Sequence, residues 1–433
     1  MNGKSIYEIF CEDCNMQVTT DSRNCPEDSM FIALKGDKFN GNEYAEQALK
    51  KGCAYAVVDE EKYVTDKRTI LVSNGLEALQ QLAGEHRRKF QIPVIGITGT
   101  NGKTTTKELI AAVLGKKYNV LYTQGNLNNH IGVPLTLLRL RKEHDVAIIE
   151  MGANHPGEIK PLTEIASPTA GLITNVGKAH LEGFGSFETL VQTKCEMYDA
   201  LKYASPEGVA FVDYDNEILM KQVRSRLHLQ KTYGTDEHSD TRGSLIDSDP
   251  YMRLRVIDDN KEYEVATHLV GAYNLKNALA AVAVGKHFGV AMGDIIAALE
   301  EYVPTNNRSQ MKETANNRLI IDTYNANPTS MMAALENFTQ MKGDNKMLIL
   351  GNMGELGSIS REEHQRIVDY LRDNGYDEVW LVGKGFEDID CQYRKFRDVS
   401  DVKQEITTKP VKGKLIMIKG SNSNRLFELP ELL

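Results

Sequence analysis

In this chain of 433 residues, the stretch Gly99-Thr100-Asn101-Gly102-Lys103-Thr104-Thr105 carries the first readable chemistry. It follows an apolar run, Val94-Ile95-Gly96-Ile97-Thr98, and opens a stretch of helical character over 104–114. A glycine-rich turn between a strand and a helix aims backbone N–H groups at one point, where the helix N-terminus also favours an anion. Lys103 adds a point charge, and the Thr104 hydroxyl stands where it can ligate Mg²⁺. These are phosphate-loop residues. The stricter G-x-x-x-x-G-K-[ST] spacing fails because position 97 is Ile, so the loop is the variant G-x-x-G-K-T. A metal-bound triphosphate also needs a carboxylate. Glu150 ends the apolar run DVAIIE, from which it can hold Mg²⁺ opposite the loop. A strand-end surface charge is the alternative for Glu150 taken alone.

Three further stretches carry a resemblance. They are Gly125-Asn126-Leu127-Asn128-Asn129-His130-Ile131-Gly132-Val133-Pro134, then Glu150-Met151-Gly152-Ala153-Asn154-His155-Pro156-Gly157-Glu158-Ile159, then Thr174-Asn175-Val176-Gly177-Lys178-Ala179-His180-Leu181-Glu182-Gly183-Phe184-Gly185-Ser186. Later stretches agree: YNLKNA from Tyr273, DTYNANP from Asp322 and GNMGELG from Gly351. With the phosphate loop, these closely resemble the Mur ligase family of bacterial peptidoglycan synthesis. The resemblance spans the chain and is densest over 94–200.

That resemblance implies an ATP- and Mg²⁺-dependent amide ligase. The GNxNNxIGVP and GANHPGEI forms are similar to the branch that joins D-alanyl-D-alanine to UDP-N-acetylmuramoyl-tripeptide through an acyl phosphate. Carried over residue by residue, Thr104 and Glu150 hold the Mg²⁺ on ATP, and His180 ligates a second metal. Lys194 matches a lysine that is carbamoylated, which would convert a cation into an anionic oxygen ligand. Taken alone, His180 reads as structural and Lys194 as a solvated helical charge. Asn274 and Asn277 match the adenine side, with helix capping as the plain alternative. Arg308 matches an arginine reaching the γ-phosphate, Asp322 holds the ribose, and Asn325 lies beside it. Ser22, Arg23 and Lys35 resemble the UDP-binding part, and Asn129 a substrate contact; an ordinary turn and strand end are the alternative for the first three. Rival readings are another amide ligase of the superfamily, or a nucleotide-driven switch, which would need neither Lys194 nor His180.

The elements that must position these residues alternate strand and helix, the pattern of α/β sheets covered by helices. The punctuation divides the chain into three, 1–90, 91–303 and 304–433; the resemblance makes the first a UDP-substrate domain, the second, with the phosphate loop, a central parallel-sheet ATP domain, and the third a Rossmann-like ligase domain. Pro93 and Pro304 mark the boundaries. Strands are expected at 30–34, 54–58, 94–98, 170–175, 319–322, 347–350, 378–382 and 414–418. Helices are expected at 43–51, 76–90, 104–114, 274–288, 293–302, 329–341 and 361–374. The end, 424–433, is short for a final helix, and Pro430 would interrupt one.

Composition limits the alternatives. The formal net charge is −9, against a uniformly basic nucleic-acid binder. Apolar residues at 41 % and charged residues at 26 % exclude global disorder. No apolar run is long enough to cross a bilayer, and MNGKSIYEIF lacks an apolar signal core. The expectation is a cytoplasmic monomer that engages no membrane and no nucleic acid. Cys11, Cys14, Cys25 and Cys53 lack the paired C-x-x-C spacing of a zinc site, so reduced thiols are expected.

Overall fold

The computed structural model describes residues 3–177, 181–204, 207–227 and 229–433. His180 lies outside them. The described residues form three sheets built mostly of parallel strands, plus a two-stranded hairpin, Lys35–Gly36 with Phe39–Asn40. The first sheet has four parallel strands, ordered Val18–Thr19, Met30–Ile32, Tyr55–Val58, Thr69–Leu71. Helix Gly75–Arg88 follows it, N-capped by Asn74, whose side chain accepts from Glu77 N.

The central sheet has nine strands. Val94–Thr98 lies inside it, all five residues buried, between Val146–Glu150 and Ala170–Ile173. Both neighbours come later in the chain, so the strand order reverses here. In an open α/β sheet, the crevice beyond the carboxyl ends of strands at such a switch point is where ligands bind. The alanine-rich helix Leu275–His287 packs against the phosphate-loop helix Lys103–Leu114. Its small side chains allow close approach, and most of them are fully buried.

The far edge of this sheet carries an antiparallel addition beyond the expected strands. Thr241–Asp247, Arg253–Asp258 and Lys261–Ala266 pair antiparallel. Arg253–Asp258 buries Leu254 and Val256 and turns the residues between toward solvent, the mark of a half-covered antiparallel strand. The third sheet orders Gln310–Glu313, Arg318–Asp322, Leu415–Lys419, Lys346–Gly351, Val379–Val382 and Arg394–Phe396, parallel except for the first. The chain ends in two short 3-10 turns, Asn422–Asn424 and Leu426–Glu428, with no final helix.

The first and central sheets share one apolar cluster, which runs from Ile9 and Phe10 through Leu79 and Leu82 to Leu137, Ile159 and Tyr198. Arg87 crosses the same junction. Its guanidinium donates to the carbonyls of Ala166, Ser167, Phe90 and Ile92. The third sheet has two clusters, one of which takes in Val270 and, at its margin, Tyr251 of the central domain. The six cysteines are free thiols, three of them (Cys14, Cys53 and Cys195) buried. No helix among the described residues is long and apolar enough to cross a membrane.

Candidate active site

The phosphate loop needs two backbone conformations that L side chains avoid. Gly99 has φ +141° and Gly102 has φ +78°. A Cβ on Gly102 would stand 2.6 Å from Asn277 Oδ1. The loop is braced from the neighbouring strand end. Asn101 N donates to Asn175 Oδ1 at 3.0 Å, while Asn175 Nδ2 and Thr174 Oγ1 donate back to Asn101 O at 2.9 and 2.6 Å. Lys103 Nζ donates to the carbonyls of Gly99 and Thr100 at 2.8 and 3.1 Å, which folds its ammonium over the loop. Burial pushes this ammonium below the ordinary lysine range; Glu150 opposes the shift and Arg308 adds to it.

Glu150 is 1 % exposed. Its Oε1 accepts from Thr104 Oγ1 at 3.3 Å and Asn128 Nδ2 at 2.8 Å. Its Oε2 is buried without a hydrogen-bond partner, 3.8 Å from Lys107 Nζ. A buried anionic oxygen with spare acceptor capacity, beside a threonine hydroxyl and a phosphate loop, fits a hard divalent cation such as Mg²⁺. Among the described residues there is no group of three or more His, Cys, Asp or Glu that could hold a metal.

Lys194, on helix Phe187–Ala204, is 2 % exposed, with Nζ 5.6 Å from the Phe184 ring centroid. Burial, reinforced by the charge of Lys103, lowers its ammonium to about 7. The solvated-charge reading of Lys194 is therefore overturned.

The loop, Glu150 and Lys194 line one cavity of about 760 Å³, together with Asn129, Asn274, Asn277, Arg308, Asp322 and Asn325. Its walls come from both the central and the third sheet. Arg308 lays its guanidinium 3.7 Å over the Tyr324 ring centroid. Asp322 is ion-paired with buried Lys419. Asn325 Oδ1 accepts from Ala326 N at 2.8 Å. Asn129 Oδ1 accepts from the N–H groups of Ile131 and Gly132. The capping alternative for Asn274 and Asn277 does not hold. Asn274 has helical backbone and no side-chain cap bond; its Nδ2 donates to Val270 O. Asn277 takes a hydrogen bond from Thr106 Oγ1 and donates to Asn274 Oδ1, tying the two helices together.

Ser22, Arg23 and Lys35 are not among the residues lining this cavity. Arg23 pairs with Asp21, and Lys35 with Asp59 and Glu60. The carbonyl of Ser22 accepts from Lys51. Asn128, Lys107, Asn327 and Lys419 join the site or its supports without being singled out by the sequence. Asn128 and Asn327 lie inside quoted motifs, and their asparagine type was the available signal. Lys107 and Lys419 carry none, because only folding buries them.

Three family models match in order. These are the Mur ligase family, catalytic domain, over 16–94; the Mur ligase middle domain over 97–285; and the Mur ligase, glutamate ligase domain, over 307–422. The chain belongs to the Mur ligase family. Within it, the chain is similar to the UDP-N-acetylmuramoyl-tripeptide--D-alanyl-D-alanine ligase of Bacillus subtilis (strain 168), 35 % identical over 95 % of this chain and 92 % of that one. Among solved Mur ligases, a crystal structure of MurF from Acinetobacter baumannii superposes with a TM-score of 0.85 at 32 % identity, covering 95 % and 92 % of the two chains. MurF ligase from Thermotoga maritima in complex with ADP gives 0.85 at 28 %, covering 96 % of each. The three-domain α/β architecture is thus that of the Mur ligases.

Proposed function

We propose that this chain is an ATP-dependent ligase that joins D-alanyl-D-alanine to UDP-N-acetylmuramoyl-tripeptide, in the synthesis of peptidoglycan precursors in the cytoplasm. The observation that carries the reading is the single cavity where a phosphate loop, a buried carboxylate, the Lys194 amine and the third sheet's Arg308 and Asp322 converge. A carboxylate is a poor acylating agent at neutral pH. Transfer of the γ-phosphate to the tripeptide carboxylate creates an acyl phosphate, and the dipeptide amine then displaces phosphate. Two anionic groups, the γ-phosphate and the tripeptide carboxylate, must meet for that, so the site has to supply positive potential and positioning.

The residues divide that work. Loop N–H groups and Lys103 hold the β- and γ-phosphates, and Arg308 turns from Tyr324 to the γ-phosphate. Asp322 and Asn325 take the ribose side, with Asn274 and Asn277 toward adenine. Thr104 and Glu150 would hold Mg²⁺, which when bound offsets phosphate charge. His180 and a carbamoylated Lys194 would hold a second ion. Carbamoylation needs an unprotonated amine to attack CO₂, and an amine at about 7 supplies one near neutrality. Ser22, Arg23 and Lys35 serve the UDP end, Arg23 and Lys35 exchanging their present carboxylate partners for phosphate, and Asn129 contacts substrate. The division into 1–90, 91–303 and 304–433, working as a monomer, completes the reading.

The test is phosphate release from ATP and Mg²⁺ with each substrate alone and with both. Release only when UDP-N-acetylmuramoyl-tripeptide and D-alanyl-D-alanine are both present supports the reading; equal hydrolysis without them overturns it. For the carbamate, Lys194→Ala should lose activity and regain part of it with acetate or bicarbonate. Full unaided activity would exclude that role.

A further inference from the structure

The tip of the phosphate loop is bonded to the third domain. Asn327 Nδ2 donates to Asn101 Oδ1 at 2.7 Å, and Asn101 Nδ2 lies 3.5 Å from Asn327 Oδ1, a reciprocal amide pair joining residues 226 positions apart. Asn327 is 6 % exposed. It also N-caps helix Pro328–Gln340, accepting from Ser330 N at 2.9 Å, while its own N–H donates to Ser330 Oγ at 3.1 Å. On the other side, Asn101 is gripped through its backbone by Asn175 and Thr174. An unbroken chain of hydrogen bonds therefore runs from the carboxyl end of Ala170–Ile173, through the loop tip, to the start of a helix in another domain.

Of the other bonds between these domains, Lys342 N to Asp249 Oδ2 at 3.2 Å lies outside the cavity lining, and two lie beside the connection. Tyr273 Oη bonds Ser309 Oγ at 2.6 Å, and Ala272 N donates to Asn337 Oδ1 at 3.2 Å. Contacts near a connecting segment survive rotation about it, whereas a contact across the mouth of a cavity breaks. Asn101–Asn327 is of the second kind, because it bridges the loop tip to Thr329 and Ser330, which line the opposite wall.

We propose that Asn327 is a positioning residue of the ligase reaction: paired with Asn101, it makes the geometry of the phosphate loop depend on the third domain being closed. The role in turnover rests on the ligase reading above. The pairing itself does not. It predicts that nucleotide held between the loop and Asp322 feels the loss of either asparagine.

The experiment is a double-mutant cycle on the full chain with Asn101→Ala, Asn327→Ser and both together, plus Asn327→Ala. Serine keeps a good helix N-cap and removes the amide pair; alanine removes both. The readouts are ADP affinity by calorimetry, kcat/KM for phosphate release, and melting temperature. One hydrogen-bonded pair corresponds to roughly a fivefold effect. Each single variant should weaken ADP binding and kcat/KM by about that factor, and the double variant should fall no further. Asn327→Ser should melt with the wild type and lose as much activity as Asn327→Ala. Multiplicative losses in the double variant overturn the proposal, as does a loss confined to Asn327→Ala. If the wild type releases no phosphate with both substrates, the ligase reading fails, and the ADP cycle alone decides the pairing.

Discussion

Lys103 donates two of its three ammonium protons to carbonyls of its own loop, those of Gly99 and Thr100. Its ammonium is therefore pre-placed at the cost of burial. Lys103→Ala should abolish detectable turnover, a loss of at least a hundredfold, while circular dichroism and melting stay near wild type. Retained turnover would remove it from the site. The thiols give a pH test of a different kind. Burial pushes Cys14 and Cys195 up to about 12 and Cys53 up to about 11. A raised thiol value leaves the group protonated, and so unreactive, until the pH approaches it. Iodoacetamide at pH 8 should label the half-buried Cys11, Cys25 and Cys391 and spare the other three in the native protein, as read by mass spectrometry. Rapid native labelling of Cys14 would contradict the packing of the first sheet.

At the scale of elements, the loop works because two helices and three strand ends fix it. Gly102→Ala should raise the KM for ATP about tenfold or more, since left-handed backbone costs about 1–2 kcal/mol for a side chain and the Cβ would strike Asn277 Oδ1 at 2.6 Å. Unchanged affinity would mean that the loop relaxes freely. The same region shows what could be read in advance. Val94–Thr98, its loop and the helix after it were readable because an apolar run, glycines and a lysine are local signals. Asn274 shows the limit of capping as a signal, because an asparagine before a helix normally caps it, and here its side chain bonds Val270 O four residues back and Asn277 three residues on. Asn128 was passed over for its neighbour Asn129, since nothing in the sequence says which of the two faces Glu150. The strands of 241–266 were missed although Arg253–Asp258 alternates, because a charged exposed face at a sheet edge resembles a loop in composition.

For the whole molecule, a net charge of −9 describes the surface and not the cavity, where Lys103, Lys194, Arg308 and Lys419 gather. The first two sheets share an extensive core, whereas the third meets the central domain's apolar side chains only at Val270 and Tyr251. Calorimetry should therefore show the first two unfolding as one cooperative unit. Arg87→Ala should lower the stability of that unit by about 3 kcal/mol, because it leaves carbonyls at the junction without a donor. A loss confined to a separate first-domain transition would contradict the shared core. The reversal of strand order around Val94–Thr98 has a consequence during synthesis. The strand leaves the ribosome with neither sheet neighbour made. Its second flank, Ala170–Ile173, and the asparagine that grips the loop are complete only at position 175. At about 5–20 residues per second, a five-residue apolar segment waits for roughly 4–15 s. Through that interval the nascent chain carries an uncharged β segment in the middle of its future nucleotide site, unpaired until residue 150 and flanked on one side only until residue 173. Chaperone binding should therefore peak on chains stalled between residue 98 and residue 175.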